Sequence, residues 1–389
     1  MDLISFMVKR WFFSFVIVAC LSACGGSIQD MAILNLEDYK VGEMVLHKPA
    51  EIQSIRVTKV LEHNGKKYAV SESINAYDLY AFESGLRTFS YRIPLEGQEA
   101  MKGGMNGSAV ISPSEFVLFN QSGYFHQYLD GKPNHAQQVP LNEILNHRFT
   151  QVSKQSGNLI KTSTGSYQVI LNPFDFMNSN GGYDPDFRSW LLEINREQGV
   201  GCVADFKAPF DEAFKDSQTV TLTNGVYNPD RDEYWLQFAL SDSIYQFKSC
   251  QVVQKKLLKS IENHTYLPDL VQKQGRNTRW NPNPKSHKNV HLLYDEKSQH
   301  YFRFVQLPQS ISEEDILAMD LRETSKIPKD YQLLVYDENW KLLKVFQFSV
   351  SGGGSLESVF IDNGLLYLNQ FEQESEDEYV LISYDLNKM

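Results

Sequence analysis

The chain has 389 residues, with 37 lysines and arginines against 48 aspartates and glutamates, a formal charge of −11, and no basic run long enough to follow a phosphate backbone. That balance argues against nucleic acid as a partner. Hydrophobic residues make up 42% of the sequence, enough for one large core or two smaller ones, and the four cysteines show no zinc-ligating spacing.

The first two dozen residues read as an address. Lys9-Arg10 form a positive n-region, Trp11 to Cys20 an apolar h-region too short to span a bilayer, and Leu21-Ser22-Ala23-Cys24 a small-residue cleavage site. The tetrapeptide resembles the lipobox of bacterial lipoproteins, which implies a thioether lipid on the Cys24 thiol, cleavage before it and acylation of the new amino terminus. An ordinary secretory signal with an incidental cysteine is the alternative. The expected layout is therefore a signal peptide over 1–23, a lipidated cysteine and tether over 24–37, and the folded body over 38–389. Several acyl chains at about 0.8 kcal/mol per buried methylene hold a membrane where one would not. Of the remaining cysteines, Cys202 and Cys250 either pair in an oxidising compartment or serve as separate small buried apolar side chains.

From residue 55 onward one pattern recurs six times: a turn, an apolar strand, then a second strand often ending in an aromatic and an Asp or Asn. Asn64-Gly65 leads into Tyr68 to Val70 and is answered by Tyr77 to Phe82. Ser112-Pro113 leads into Phe116 to Phe119 and is answered by Tyr124 to Asp130. Thr164-Gly165 precedes Tyr167 to Leu171, with its partner Trp190 to Asn195 after a long loop. Asp230 to Asp232 precedes Tyr234 to Phe238 and then Ile244 to Phe247; Asp295 to Ser298 precedes Tyr301 to Phe304 and then Leu333 to Asp337. The last copy is Asn363-Gly364 with Leu365 to Phe371 and Tyr379 to Leu386. A further strand before each turn and another after each second strand give four strands per unit. The pattern predicts an all-β fold, a six-bladed β-propeller with four-stranded blades.

The sixth copy stops after its third strand, and Tyr39 to His47 belongs to no copy. The expectation is that this N-terminal strand completes the last blade and closes the ring, leaving no open edge there. A β-sandwich or two separate β domains would leave both pieces unexplained. In such a disc the first-to-second and third-to-fourth hairpins share one face. They are tight here, whereas the long loops (173–187, 308–330, 372–378) and the crossings (96–106, 142–157, 207–217, 260–284) fall on the other, where function usually sits. Within 308–330, Ser312 followed by acids reads as a capped helix start.

The candidate chemistry is sparse. The loop Asn178 to Asp186 offers Asp184 and Asp186 as oxygen ligands for calcium, the one metal it suggests, although the same residues build ordinary turns. Arg276, Arg279 and Trp280 combine guanidinium groups with an indole, suited to stacking on a sugar or gripping a carboxylate, or to pinning a surface crossing. Arg303, inside Tyr301-Phe-Arg-Phe304, needs a partner: the central channel, or a carboxylate in the next blade. His287 and His291 lie four apart on a strand, about 13 Å along it, too far for joint metal ligation. No nucleophile elbow, phosphate loop or zincin helix appears.

The lipobox, the six degenerate blades, and Tyr294-Asp295 leading into Tyr301 to Phe304 and Pro308 together resemble the DUF4221 family of six-bladed propeller lipoproteins from Bacteroidetes-type bacteria. The resemblance implies an envelope lipoprotein of unassigned activity and brings no catalytic residues with it; the expected location is the bacterial cell envelope, lipid-anchored at the outer membrane, with no cofactor expected beyond a bound calcium. Periplasmic and surface orientations both stay open. The expectation is a non-catalytic binding or scaffold propeller that holds a protein or glycan partner on its loop-rich face. The alternative is an envelope enzyme acting on a glycan or other extracellular polymer, which would need convergent acids or a metal at the channel mouth.

Overall fold

The computed structural model describes residues 31–388 other than 53, 74–75, 94–95, 98–106, 121, 142–149, 153–158, 174–185, 196–198, 275–276 and 352–355. Six antiparallel sheets form the blades of a propeller. Blade one spans Val57–His63, Lys66–Ser73, Ala76–Ala81 and Arg87–Arg92, and blade two Gly107–Ser112, Glu115–Phe119, Tyr124–Leu129 and Lys132–Gln138. In blade three the inner position is shared by Thr150–Val152 and Leu159–Lys161, both paired with Tyr167–Pro173. Blade four runs from Thr223–Asn228 to Gln251–Leu257, and blade five from Lys288–Asp295 to Leu342–Val350.

Blade six is completed from the other end of the chain. Lys40–His47 pairs antiparallel with Glu378–Asp385, from Lys40 opposite Tyr384 to His47 opposite Glu378, so the first long strand is the outer strand of the last blade. The two ends of the chain thereby close the ring. The folded body also starts earlier than residue 38. Ile33–Asn35 adds a short parallel fifth strand to blade five, Ile33 lying opposite Val345, and a 3-10 turn at Leu36–Tyr39 then buries Leu36 and sets the Tyr39 ring edge-on to Phe346 at 5.0 Å.

Burial explains the hydrophobic pattern. Second strands such as Glu233–Phe238 and His300–Gln306 are covered on both faces by neighbouring blades, so they are near-continuous apolar runs and not alternating ones. Outer strands such as Lys132–Gln138 and Gln251–Leu257 meet water and are mostly polar. The core is thus a ring of interblade layers, in which each fully buried Leu or Phe contributes about 1.5–3 kcal/mol. Turn chemistry fixes the register: Asn64-Gly65 and Asn363-Gly364 have φ of 51° and 72°, and of 58° and 74°, the paired positive angles that a two-residue hairpin needs.

Two insertions stand on the long-loop face. The segment 260–284, expected as an irregular crossing, contains a hairpin, Leu270–Gln274 with Asn277–Asn281. The segment 308–330 holds two short helices, α1 (Glu313–Ala318) and α2 (Leu321–Ser325). Ser312 caps α1 as its sequence suggests, accepting from the Asp315 N–H at 3.0 Å, and Asp320 and Glu323 form a capping box on α2.

Candidate functional site

Two features bring polar chemistry together: a channel along the ring axis, and a buried cluster between blades four and five. The channel, about 1880 Å³, is lined by residues of all six inner strands. Near its tight-turn end Lys297 lies 3.7 Å from Glu62, and Lys67 pairs with Asp362. Asp295 is occupied by backbone, accepting from Gly364 N–H at 2.8 Å and Ser298 N–H at 3.2 Å.

Toward the loop-rich end stand Arg56, Lys59, Lys288, Glu72 and Glu357. Ser108 donates to Glu72 at 3.0 Å, and Lys59 donates to the Val110 carbonyl at 2.6 Å. Burial pulls the Lys59 ammonium below its ordinary pKa, with Glu72 opposing, and pulls Lys288 down likewise, with Asp269 opposing. Burial also pushes His291 down to about 4, so it is neutral at pH 7, held 3.0 Å from the Leu356 carbonyl.

The second feature is built around Arg303, whose side chain is wholly buried. It lies on the second strand of blade five and turns toward blade four. Its Nε donates to Asn289 Oδ1 at 2.9 Å, and Nη2 donates to Asp242 Oδ1 at 2.5 Å and to the Tyr266 hydroxyl at 2.8 Å. Tyr266 in turn donates to Asp242 Oδ1 at 2.7 Å, and His264 Nδ1 lies 2.9 Å from the same oxygen. Asn289 finishes the joint by donating to the carbonyls of Phe238 and Ser241 in blade four, at 2.9 and 2.7 Å.

Burial alone would push the Asp242 carboxyl up; the His264 hydrogen bond and the Arg303 charge overcome it and hold it well below the carboxylate range. Burial raises the Tyr266 hydroxyl, which stays protonated and donating. The His287 ring stacks on His264 at 4.7 Å, and burial together with that ring lowers its pKa. One carboxylate oxygen thus gathers three partners, although the Asp242 side chain itself keeps 20% of its surface exposed. Such an arrangement fixes two blades in register.

Arg303 therefore reaches a carboxylate of the neighbouring blade and not the channel. Cys24, Asp184 and Arg276 lie outside the described residues, and Asp186 is exposed. Arg279 and Trp280 sit on the second strand of the inserted hairpin, where Trp280 faces Val271 and Arg279 donates to the Met319 carbonyl at 2.5 Å between the two helices. Arg279 pins one insertion to the other, and neither residue joins Arg303's cluster. Cys202 and Cys250 are joined by a disulfide, with Cα atoms 5.9 Å apart. Glu193 lies beside it, and among the described residues these three form the one group of metal-capable side chains close enough to share an ion; the cysteines are taken up by each other. Sequence reasoning missed Asp242, Asn289, His264 and Tyr266. The buried charge at Arg303 announced that a partner exists, but Asp242 is 61 residues away in a turn and nothing in its local pattern marks it.

The geometry defines a six-bladed β-propeller with charged channel mouths and a polar joint between blades four and five. No protein-family model matches the chain, and no curated protein matches it. Among solved structures it is similar to a member of the DUF4221 family from Bacteroides vulgatus, with a TM-score of 0.67 and 14% identity over 89% of this chain and 96% of that one. It is also similar to a putative exported protein from Bacteroides fragilis, with a TM-score of 0.51 and 10% identity over 91% of this chain and 98% of that one. At these identities the likeness is one of fold, and the fold is the one that the DUF4221 resemblance implies.

Proposed function

We propose that the protein is a non-catalytic binding module of the cell envelope, held by a lipid on Cys24, whose loop-rich face receives a glycan or protein partner. The observation that carries this reading is a division of labour. The acid and cation of the buried cluster are spent on each other in a joint, while the channel opens to the loop-rich face among Arg56, Lys59, Lys288 and Glu357. A channel end of mixed charge suits a polar partner, and the inserted hairpin and helices add surface on the same face. The disulfide accords with an oxidising compartment, and the fold likeness to an exported protein points the same way.

The test is a thermal-shift screen of the mature domain against a glycan panel and calcium. A partner at a hundred times its dissociation constant adds about 2.7 kcal/mol of stability. The expected result is a shift that disappears in Arg56→Ala with Lys288→Ala, or, if no glycan shifts the transition, a protein crosslinked to this face in intact cells. Turnover of any glycan by the purified chain would overturn the non-catalytic reading.

A further inference from the structure

The outer strand of blade four is unlike the rest of this acidic molecule. Residues 243–261 contain Lys248, Lys255, Lys256 and Lys259 and no acid. Within them Gln251–Leu257 lies along the rim of the disc, with Val253 55% and Leu257 72% exposed. Lys256 leans back over the Trp235 ring and donates to the Asn339 carbonyl at 3.2 Å; Lys255, although exposed, stands 5.8 Å from the Tyr245 ring centre, and Lys248 and Lys259 are exposed. Asp232 lies near Lys248, and Glu233 and Asp337 near Lys256, but the segment itself carries no acid, and an apolar strip with exposed cations on its own strand is the chemistry of a surface that meets anionic headgroups.

The path of the N-terminal chain supplies a second, independent observation. Met31 packs against the apolar cluster that blades four and five share, which includes Trp235, Ile244 and Leu258 of blade four and Trp340 and Leu342 of blade five. The seven residues from Met31 back to Cys24 span at most about 25 Å. A lipid on Cys24 is thus confined to the neighbourhood of this rim.

We infer that the rim of blade four rests on an anionic bilayer surface, so that the disc stands edge-on and both of its faces are free. This rests on the lipid-anchor reading for the tether, and the rim is the second of the two signals that stable anchoring takes. Val253 and Leu257 enter the headgroup region while Lys255 and Lys259 pair with phosphates.

Vesicle sedimentation of the mature chain carrying Cys24→Ala isolates the rim from the anchor. The expected result is stronger partition into vesicles containing phosphatidylglycerol than into pure phosphatidylcholine vesicles, reduced roughly 25-fold by Lys255→Gln with Lys259→Gln, about fivefold per lysine. These exposed side chains can change without unfolding the blade. Equal partition into both vesicles, or an unaltered pair variant, overturns the inference. In the lipidated chain, a fluorophore at Leu257→Cys should lose its emission to a headgroup-linked quencher while one at Ser90→Cys, on the rim of blade one across the ring, keeps it; the reverse pattern also overturns it. Failure of the anchor reading shows separately, as native and Cys24→Ala chains fractionating alike in cells.

Discussion

The seam between blades three and four and the seam between blades four and five both bury apolar layers, but they differ in what is added to those layers. The first is mostly apolar and covalently tied, with polar contacts at its edge, where Ser163 of blade three donates to Asp232 Oδ1 of blade four at 2.8 Å. The Trp190 and Phe238 rings meet edge-on at 4.9 Å, Phe206 lies 4.7 Å from Tyr245, and the Cys202–Cys250 disulfide joins the outer strand of blade three to the start of the outer strand of blade four. The second holds a guanidinium, a carboxylate, an amide, a phenol and two imidazoles in mutual contact. An apolar seam is non-directional and tolerates small shifts, whereas a seam of fixed donors and acceptors permits one register. The polar seam is also where blade-to-blade connection is longest, at 258–287, so the place with the least help from chain connectivity has the most directional contacts.

The largest effect should come from breaking the polar seam on one side. Asp242→Leu leaves the Arg303 charge buried without its counter-ion and should cost about 3–5 kcal/mol, and Arg303→Met strands the carboxylate in the same way, whereas the two combined remove both charges and should recover most of that loss. Denaturant melts of the two singles and the double make the cycle. Additive losses in the double variant would mean that the seam is not held by this pair. On the apolar seam, Cys202→Ala with Cys250→Ala frees a 48-residue separation and should cost about 2–4 kcal/mol, read as a lower midpoint in the same melts. Smaller still is overpacking: a Cβ at Gly225 would stand 2.0 Å from the Tyr234 hydroxyl and 2.6 Å from Ile170 Cδ1 across the same seam. Gly225→Ala should therefore lose about 1–3 kcal/mol, and an unchanged melt would show that the seam has slack.

Much of the fold was legible because its determinants are local. Asn-Gly turns fix hairpins, runs such as Tyr234 to Phe238 are apolar because both faces are covered, and the unmatched strand at 39–47 had one vacancy to fill. The short strand Ile33–Asn35 was not legible, since three residues of which only Leu34 is half-buried carry no periodicity. Neither was the hairpin at 270–281, whose charged and amide side chains look like a loop until its backbone pairing is known. The site divided along the same line. Arg303 stood out as a charge in an apolar strand, but its partners come from a turn and a crossing that only the ring brings together.

The smallest predicted effect separates the seams by acid. Burial and the His264 ring keep the His287 pKa below its ordinary value, so folding favours the neutral ring and the unfolded chain takes up more protons as pH falls below about 6.5. Stability from this group is present above that pH and is lost as pH drops toward the folded pKa. Asp242 behaves in the opposite region. Its carboxyl is held down in the folded state, so its contribution persists through pH 5 and is lost only below about 4, where the unfolded carboxyl protonates first. The polar seam should therefore loosen in two stages, first near pH 6 and again below pH 4, while the aromatic and disulfide contacts of the other seam do not titrate. The Tyr227 and Ser163 hydrogen bonds hold down the Asp232 carboxyl at that seam's edge, so its contribution is lost only in the lower range and the contrast is sought between pH 7 and pH 5. Hydrogen exchange followed from pH 7 to pH 5 should show earlier loss of protection in His300–Gln306 and Lys288–Asp295 than in Tyr167–Pro173 and Leu191–Asn195. Equal loss in both pairs of strands would mean that acid acts on the ring as a whole, and the contrast between the seams would then be one of composition without consequence for local stability.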